Sequence, residues 1–129
     1  MNKLLSQITE LPAKIKALLS MESIQMSKKP KLPISGGVAV VEDSANNVYV
    51  LASNNLQQLL QRAVIPSKKN HLVTKIASVQ SGGKDADSEV LRSKIQSELP
   101  NYNIRFVVED NEALRGILKL LVQEETRSS

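Results

Sequence analysis

The sequence predicts an α+β fold, built as a small sheet of three or four strands, mixed or antiparallel, flanked by helices, with one extra helix at the amino terminus. Three observations predict it. Two short apolar runs, 38–41 and 48–52, stand on either side of the polar stretch 42–47, the pattern of an antiparallel hairpin. Apolar residues recur at spacings of three and four on both sides of that hairpin, as they do along helices. The chain has 129 residues, 41% of them hydrophobic and 23% charged; that supports one buried core and is too short for two independent ones. The expected organisation is an N-terminal helical extension and linker over residues 1–33, an α+β domain over 34–125 and a frayed tail over 126–129.

Taken in order, Leu4, Ile8, Leu11, Ile15 and Leu18 place one apolar stripe on a helix. Pro12 falls within it and lacks a donor N–H, so a kink is expected there, with Pro12 in the first turn of a second helical piece. Residues 22–37, rich in proline, glycine and lysine, read as an extended connector. Val38, Val40 and Val41 form a strand apolar on both faces, matched by 48–52. Ser53 or Asn54 is placed to cap a helix whose inner face carries Leu56, Leu59, Leu60 and Ala63. Residues 71–80, HLVTKIASVQ, alternate well enough for a third strand. The next helix sets Ala86, Val90, Leu91, Ile95 and Leu99 on one side and stops at Pro100. NIRFVVED makes a fourth strand. Asp110 or Asn111 then caps a last helix with the stripe Leu114, Ile117, Leu118, Leu121 and Val122.

Composition excludes several kinds of chemistry. There is no cysteine, so disulfides, thiol catalysis and Cys-type zinc sites are out. His71 is the one histidine, and such a residue is ordinarily solvated. Tyr49, Tyr102 and Phe106 are the whole aromatic content, too few for a binder that works by stacking bases on rings. The segment SGGKDADS lacks P-loop spacing. No apolar run is long enough for a bilayer and no signal-peptide pattern opens the chain, so no membrane partner is expected and the cytoplasm is the expected location. No cofactor or metal ligand set is expected either.

The net charge of +4 is unevenly spread. Residues 1–35 carry +4, 36–66 carry −1, 67–84 carry +4 and 85–129 carry −3. Two basic segments thus flank a nearly neutral hairpin. Such segments suit a phosphate backbone or an acidic protein surface, or serve only to keep loops solvated.

The stretch LPISGGVAVVEDSANNVYVLASNNLQQLLQRA resembles the N-terminal half of a GIY-YIG endonuclease domain, with Gly37-Val38-Ala39 at the first motif, Tyr49-Val50-Leu51 at the second, and SNNLQQLL at the helix start. DADSEVLRSKIQSELPNYNI is similar to the family's later helix and its Pro-x-Tyr-Asn ending, here Pro100, Tyr102 and Asn103. The resemblance spans about residues 33–104. It implies phosphodiester hydrolysis in which a motif tyrosine helps to activate water, an arginine stabilises the developing phosphate charge and a glutamate holds a divalent metal.

Residue by residue, this sequence departs from that pattern. The first motif's tyrosine falls on Ala39. The second motif keeps Tyr49 but has Leu51 where the family has glycine. The arginine falls on Leu59, with Arg62 three residues on, and the glutamate falls on Leu91 or, in a second alignment, on Ile117. The expectation is therefore a domain with no catalytic residues that contacts DNA or RNA weakly and without sequence preference, through Lys28, Lys29, Lys31, Arg62, Lys68, Lys69, Lys75 and Lys84. The alternative is a protein-interaction or self-association module that uses the leucine-lined former site and the N-terminal helix. On that former site the same residues are equally compatible with a face that has closed into core.

Overall fold

A computed structural model describes residues 2–63, 71–84 and 88–127, without the side chains of residues 2–4, 63, 71 and 127. Helix α1 (Asn2–Thr9) breaks at Glu10, and α2 (Leu11–Ser20) restarts with Pro12 in its first turn, where the missing N–H costs nothing. The connector holds a two-residue strand, β1 (Ile24–Gln25), and one 3-10 turn, Met26–Lys28. Strands β2 (Gly37–Glu42) and β3 (Val48–Ser53) form the expected hairpin. Helices α3 (Leu56–Ala63), α4 (His71–Gln80) and α5 (Glu89–Glu98) follow, then β4 (Asn103–Val108) and α6 (Glu112–Arg127). The sheet order is β1-β4-β2-β3, antiparallel throughout, with β4 and β2 as the interior strands.

Alternation along the strands sends side chains into two cores. Ala39, Val41, Tyr49, Leu51 and Ile104 face a layer made of the connector, α3, α4 and α5. Val38, Val40 and Val50 face the other way, against Leu11 and Leu18 of α2 and Leu114, Leu118 and Val122 of α6. A sheet covered on both faces explains why its strands read as unbroken apolar runs. Each of these fully buried aliphatic side chains contributes roughly 1.5–3 kcal/mol. Met26 and Leu32 of the connector thus belong to one core and Leu11 and Leu18 of α2 to the other, and α6 runs on through Arg127.

Several sequence expectations change. Residues 71–80 are helix α4, not a third strand. Leu72, Val73, Ile76 and Ala77 are all buried, a spacing of one, three and one that fits a helical face. The alternation over 71–80 fits a strand, but packing between α3 and α5 decides for a helix. The fourth strand comes from the connector instead, where Met26 N–H donates to the Tyr102 carbonyl at 2.8 Å. The cap of α3 is Asn55, whose Oδ1 accepts from Gln58 N–H at 3.1 Å. Ser53 and Asn54 are not needed, because the carbonyls of Ser35 and Pro33 take the N–H groups of Leu56 and Gln57. Ser88 caps α5, and Val90 points to solvent at 83% exposure while Arg92 turns inward. Asn111 caps α6, accepting from Leu114 N–H. Ala86, Lys68 and Lys69 lie outside the described residues. Among the described residues no helix is long and apolar enough to cross a membrane.

Candidate functional site

The positions that the resemblance assigns to phosphodiester chemistry come together in space, as the inside of a core. Ala39 and Leu51 are register partners on β2 and β3. With Tyr49 and Leu59 they are at most 6% exposed, and Leu91 packs against the same cluster. Arg62, one turn beyond Leu59, is exposed and lines a shallow cleft with Ser53, Asn54 and Gln58. Leu59, 6% exposed, stands where the resemblance puts a phosphate-facing cation, and it lines the same cleft as the exposed Arg62. The leucine-lined face is also closed as a docking surface, since covering it is what forms the core. Ile117, the second position considered for the glutamate, sits on α6 and is 41% exposed.

Tyr49 keeps its identity but is committed to its neighbours. Its hydroxyl donates to Asp43 Oδ2 at 2.8 Å and accepts from Gln80 Nε2 at 3.2 Å. Burial, with the Asp43 hydrogen bond and charge adding to it against the opposing bond from Gln80, pushes its pKa up to about 12. A phenol so placed stays protonated at neutral pH, and its proton is committed to Asp43.

Asp43 is the centre of this network. It begins the hairpin turn and also accepts from the N–H groups of Ala45 and Asn47, both at 2.9 Å, and from Asn47 Nδ2 at 3.0 Å. Burial alone would raise its pKa. The bonds from Asn47, Tyr49 and Ala45 outweigh it and hold the carboxyl below its ordinary value. Beside it Tyr102, held protonated chiefly by burial and next by the charge of Glu98, donates to Glu98 Oε2 at 3.3 Å. A polar cleft of about 460 Å³ opens here, lined by Asp43, Gln80, Lys94, Glu98 and Asn101. With its lone pairs filled from within the chain, Asp43 shapes the turn rather than receiving a ligand.

The expected cations are arranged differently. Lys28, Lys29 and Lys31 are exposed on the connector. Lys29 stands with Leu60 and Gln61 of α3 and Gln96 of α5 around a groove of about 550 Å³, next in the chain to Arg62. Lys84 is exposed after α4, and Lys75 is half-buried on it. All are carried by the layer over the Tyr49 face of the sheet. Lys94, exposed on α5, belongs to the same layer and was missed, because sequence alone does not show that α5 shares a sheet face with the connector. Asp43 was also missed, although an aspartate opening a polar turn with asparagine four residues on is a recognisable side-chain-capped turn.

In comparisons with known proteins, the chain matches no family model, no curated protein and no solved structure.

Proposed function

We infer that this chain is a non-catalytic, GIY-YIG-like domain that associates with DNA or RNA through phosphate contacts alone. The observation that carries the reading is the division of charge by the sheet. The layer of connector, α3, α4 and α5 displays Lys28, Lys29, Lys31, Arg62, Lys84 and Lys94 to solvent, and its acids among the described residues are Glu22, Glu89 and Glu98. The opposite layer carries Glu10, Glu109, Asp110, Glu112, Glu124 and Glu125 among its bases. A one-sided basic surface is the electrostatic footprint of a phosphate binder. The apolar, buried side chains at Ala39, Leu51 and Leu59 support the absence of cleavage, since a developing phosphoryl charge finds no fixed cation among them. With Tyr49 and Tyr102 both 1% exposed and so closed to base stacking, sequence readout is not expected.

The test is a fluorescence-anisotropy titration of the full chain against duplex DNA, branched DNA and an RNA hairpin, at low and physiological salt with magnesium present, followed by a gel of the probes. Neutralising about four phosphates predicts roughly hundredfold weaker binding between 50 and 200 mM salt, with intact probes. Charge reversal at Lys29 and Arg62 together weakens binding to all probes alike. Cleaved probes, or no binding at low salt, overturn the reading.

A further inference from the structure

The outward side of α6 carries exposed large apolar side chains among its polar ones, where a helix at the surface is ordinarily polar. Leu114, Leu118 and Val122 already bury the inner face. Yet Ile117 is 41% and Leu120 64% exposed away from it, while Leu121, seven residues on from Leu114, borders the inner face at 39%. In the middle of this outer face lies Gly116, at which an added Cβ would meet nothing within 4 Å. A mid-helix glycine weakens a helix relative to alanine. Nothing among the described residues requires it, because outside its own helix none of them comes within 4 Å of that Cβ.

Two neighbouring rows run along that face. Glu112, Gly116 and Lys119 follow each other at spacings of four and three, and so do Ala113, Ile117 and Leu120. Seven residues return to the same edge of a helix to within about 20°. The first row therefore carries an acid at one end, a base at the other and a glycine between them. Laid antiparallel against itself about a two-fold axis near Gly116, this row sets Glu112 of each copy opposite Lys119 of the other, twice. A parallel pairing sets acid against acid and base against base. The charge pattern thus selects one partner, itself, and one orientation. The glycines then meet at the crossing, where the missing side chains let the backbones approach, and Ile117 and Leu120 are covered from both sides.

We propose that the outer face of α6 is a self-association surface, through which two copies of this chain pair as an antiparallel, two-fold α6–α6 dimer. This is independent of nucleic-acid association, because α6 lies on the sheet face opposite the basic layer. One helix pair is a small interface, so the dimer is reversible and micromolar rather than obligate.

Sedimentation velocity of the full chain across a wide concentration range, without nucleic acid, tests it. The expected result is a concentration-dependent monomer–dimer equilibrium. L120E weakens dimerisation at least tenfold while the circular dichroism of the monomer is unchanged. K119E weakens it, and the double exchange E112K with K119E restores it to within a few-fold of the parent. G116A separates the proposal from a merely structural role, since it raises the melting temperature of the monomer and weakens the dimer. A chain that stays monomeric at the highest concentration, or a dimer unmoved by L120E and not rescued by the charge exchange, overturns the proposal.

Discussion

The Tyr49 hydroxyl donates to Asp43 across 2.8 Å inside the end of the hairpin, where Tyr49 is 1% exposed. Tyr49 and Tyr102 are the two tyrosines and there is no tryptophan, so phenolate absorbance reads these groups alone. In both, the folded pKa is raised, mainly by burial. Their contribution to stability is full below the ordinary phenol value of 10.0 and is lost as pH rises through about 12 for Tyr49. An alkaline titration followed by absorbance and circular dichroism is expected to show no phenolate at pH 10 and, above it, phenolate appearing together with unfolding. A tyrosine that ionises at its ordinary value in the intact fold contradicts the buried network.

Asp43 works in the opposite direction. Its folded pKa lies below the ordinary 3.8, so its stabilisation is complete above that value and is lost as pH falls through the lower, folded one. Replacing it with alanine strands the N–H groups of the turn and the Tyr49 hydroxyl, and is expected to cost about 2–3 kcal/mol in urea unfolding at neutral pH. Tyr49→Phe removes one bond to a charged acceptor and is expected to cost about 1–2 kcal/mol. The double variant then costs less than the sum, because the two share a bond. Additive losses would show that the two residues act apart.

On the other sheet face, Lys14 Nζ meets Glu109 Oε1 at 2.6 Å, with the lysine side chain 29% exposed and the glutamate 7%. Glu109 also accepts from Asn111 N–H at 3.2 Å, beside the cap of α6. Removing the lysine leaves a nearly buried carboxylate without its cation. Lys14→Met is therefore expected to cost about 1–2 kcal/mol, a value reduced for the partial exposure of the lysine. Adding Glu109→Gln to Lys14→Met is expected to recover part of that loss, because the amide needs no counter-charge. If the double variant is less stable than Lys14→Met alone, Glu109 is held by its backbone contacts and not by the pair.

Elements whose signal is local were legible in the sequence. The valines of β2 and β3 and the stripe of α6 report their own burial, and Pro12 reports the break between α1 and α2. Helix α4 was not legible, because Leu72, Val73, Ile76 and Ala77 satisfy a helical face while the alternation over 71–80 satisfies a strand, and only α3 and α5 on either side choose. Strand β1 has no side-chain signal at all; its two residues are set by backbone pairing to β4. At the site, the residue types at Ala39, Leu51 and Leu59 were readable, but whether they line an open face or fill a core depends on what covers them. The Tyr49–Gln80 bond joins residues 31 apart, and no local pattern announces it.

Gly36 and Gly37 stand side by side at the start of β2 and tolerate substitution differently. A Cβ on Gly37 would collide with the Val107 carbonyl oxygen of the neighbouring strand and come within 2.7 Å of Leu56 Cδ1. Neither can step aside: the carbonyl belongs to the β4 backbone, and Leu56 is fully buried in the first turn of α3. Gly37→Ala must therefore part β2 from β4, at a cost of roughly 2–3 kcal/mol or more. At Gly36 the main obstacle is Arg115 Nη1, the far end of a flexible side chain, with the Glu109 carbonyl oxygen at 3.1 Å. Arg115 can swing out, giving up its bond to that carbonyl at 3.2 Å, so Gly36→Ala is expected to cost only about 1 kcal/mol. Urea denaturation of the two variants measures the difference. Equal losses, or a larger one at Gly36, would mean that the close approach of β4 to β2 at Gly37 is not what requires a glycine there.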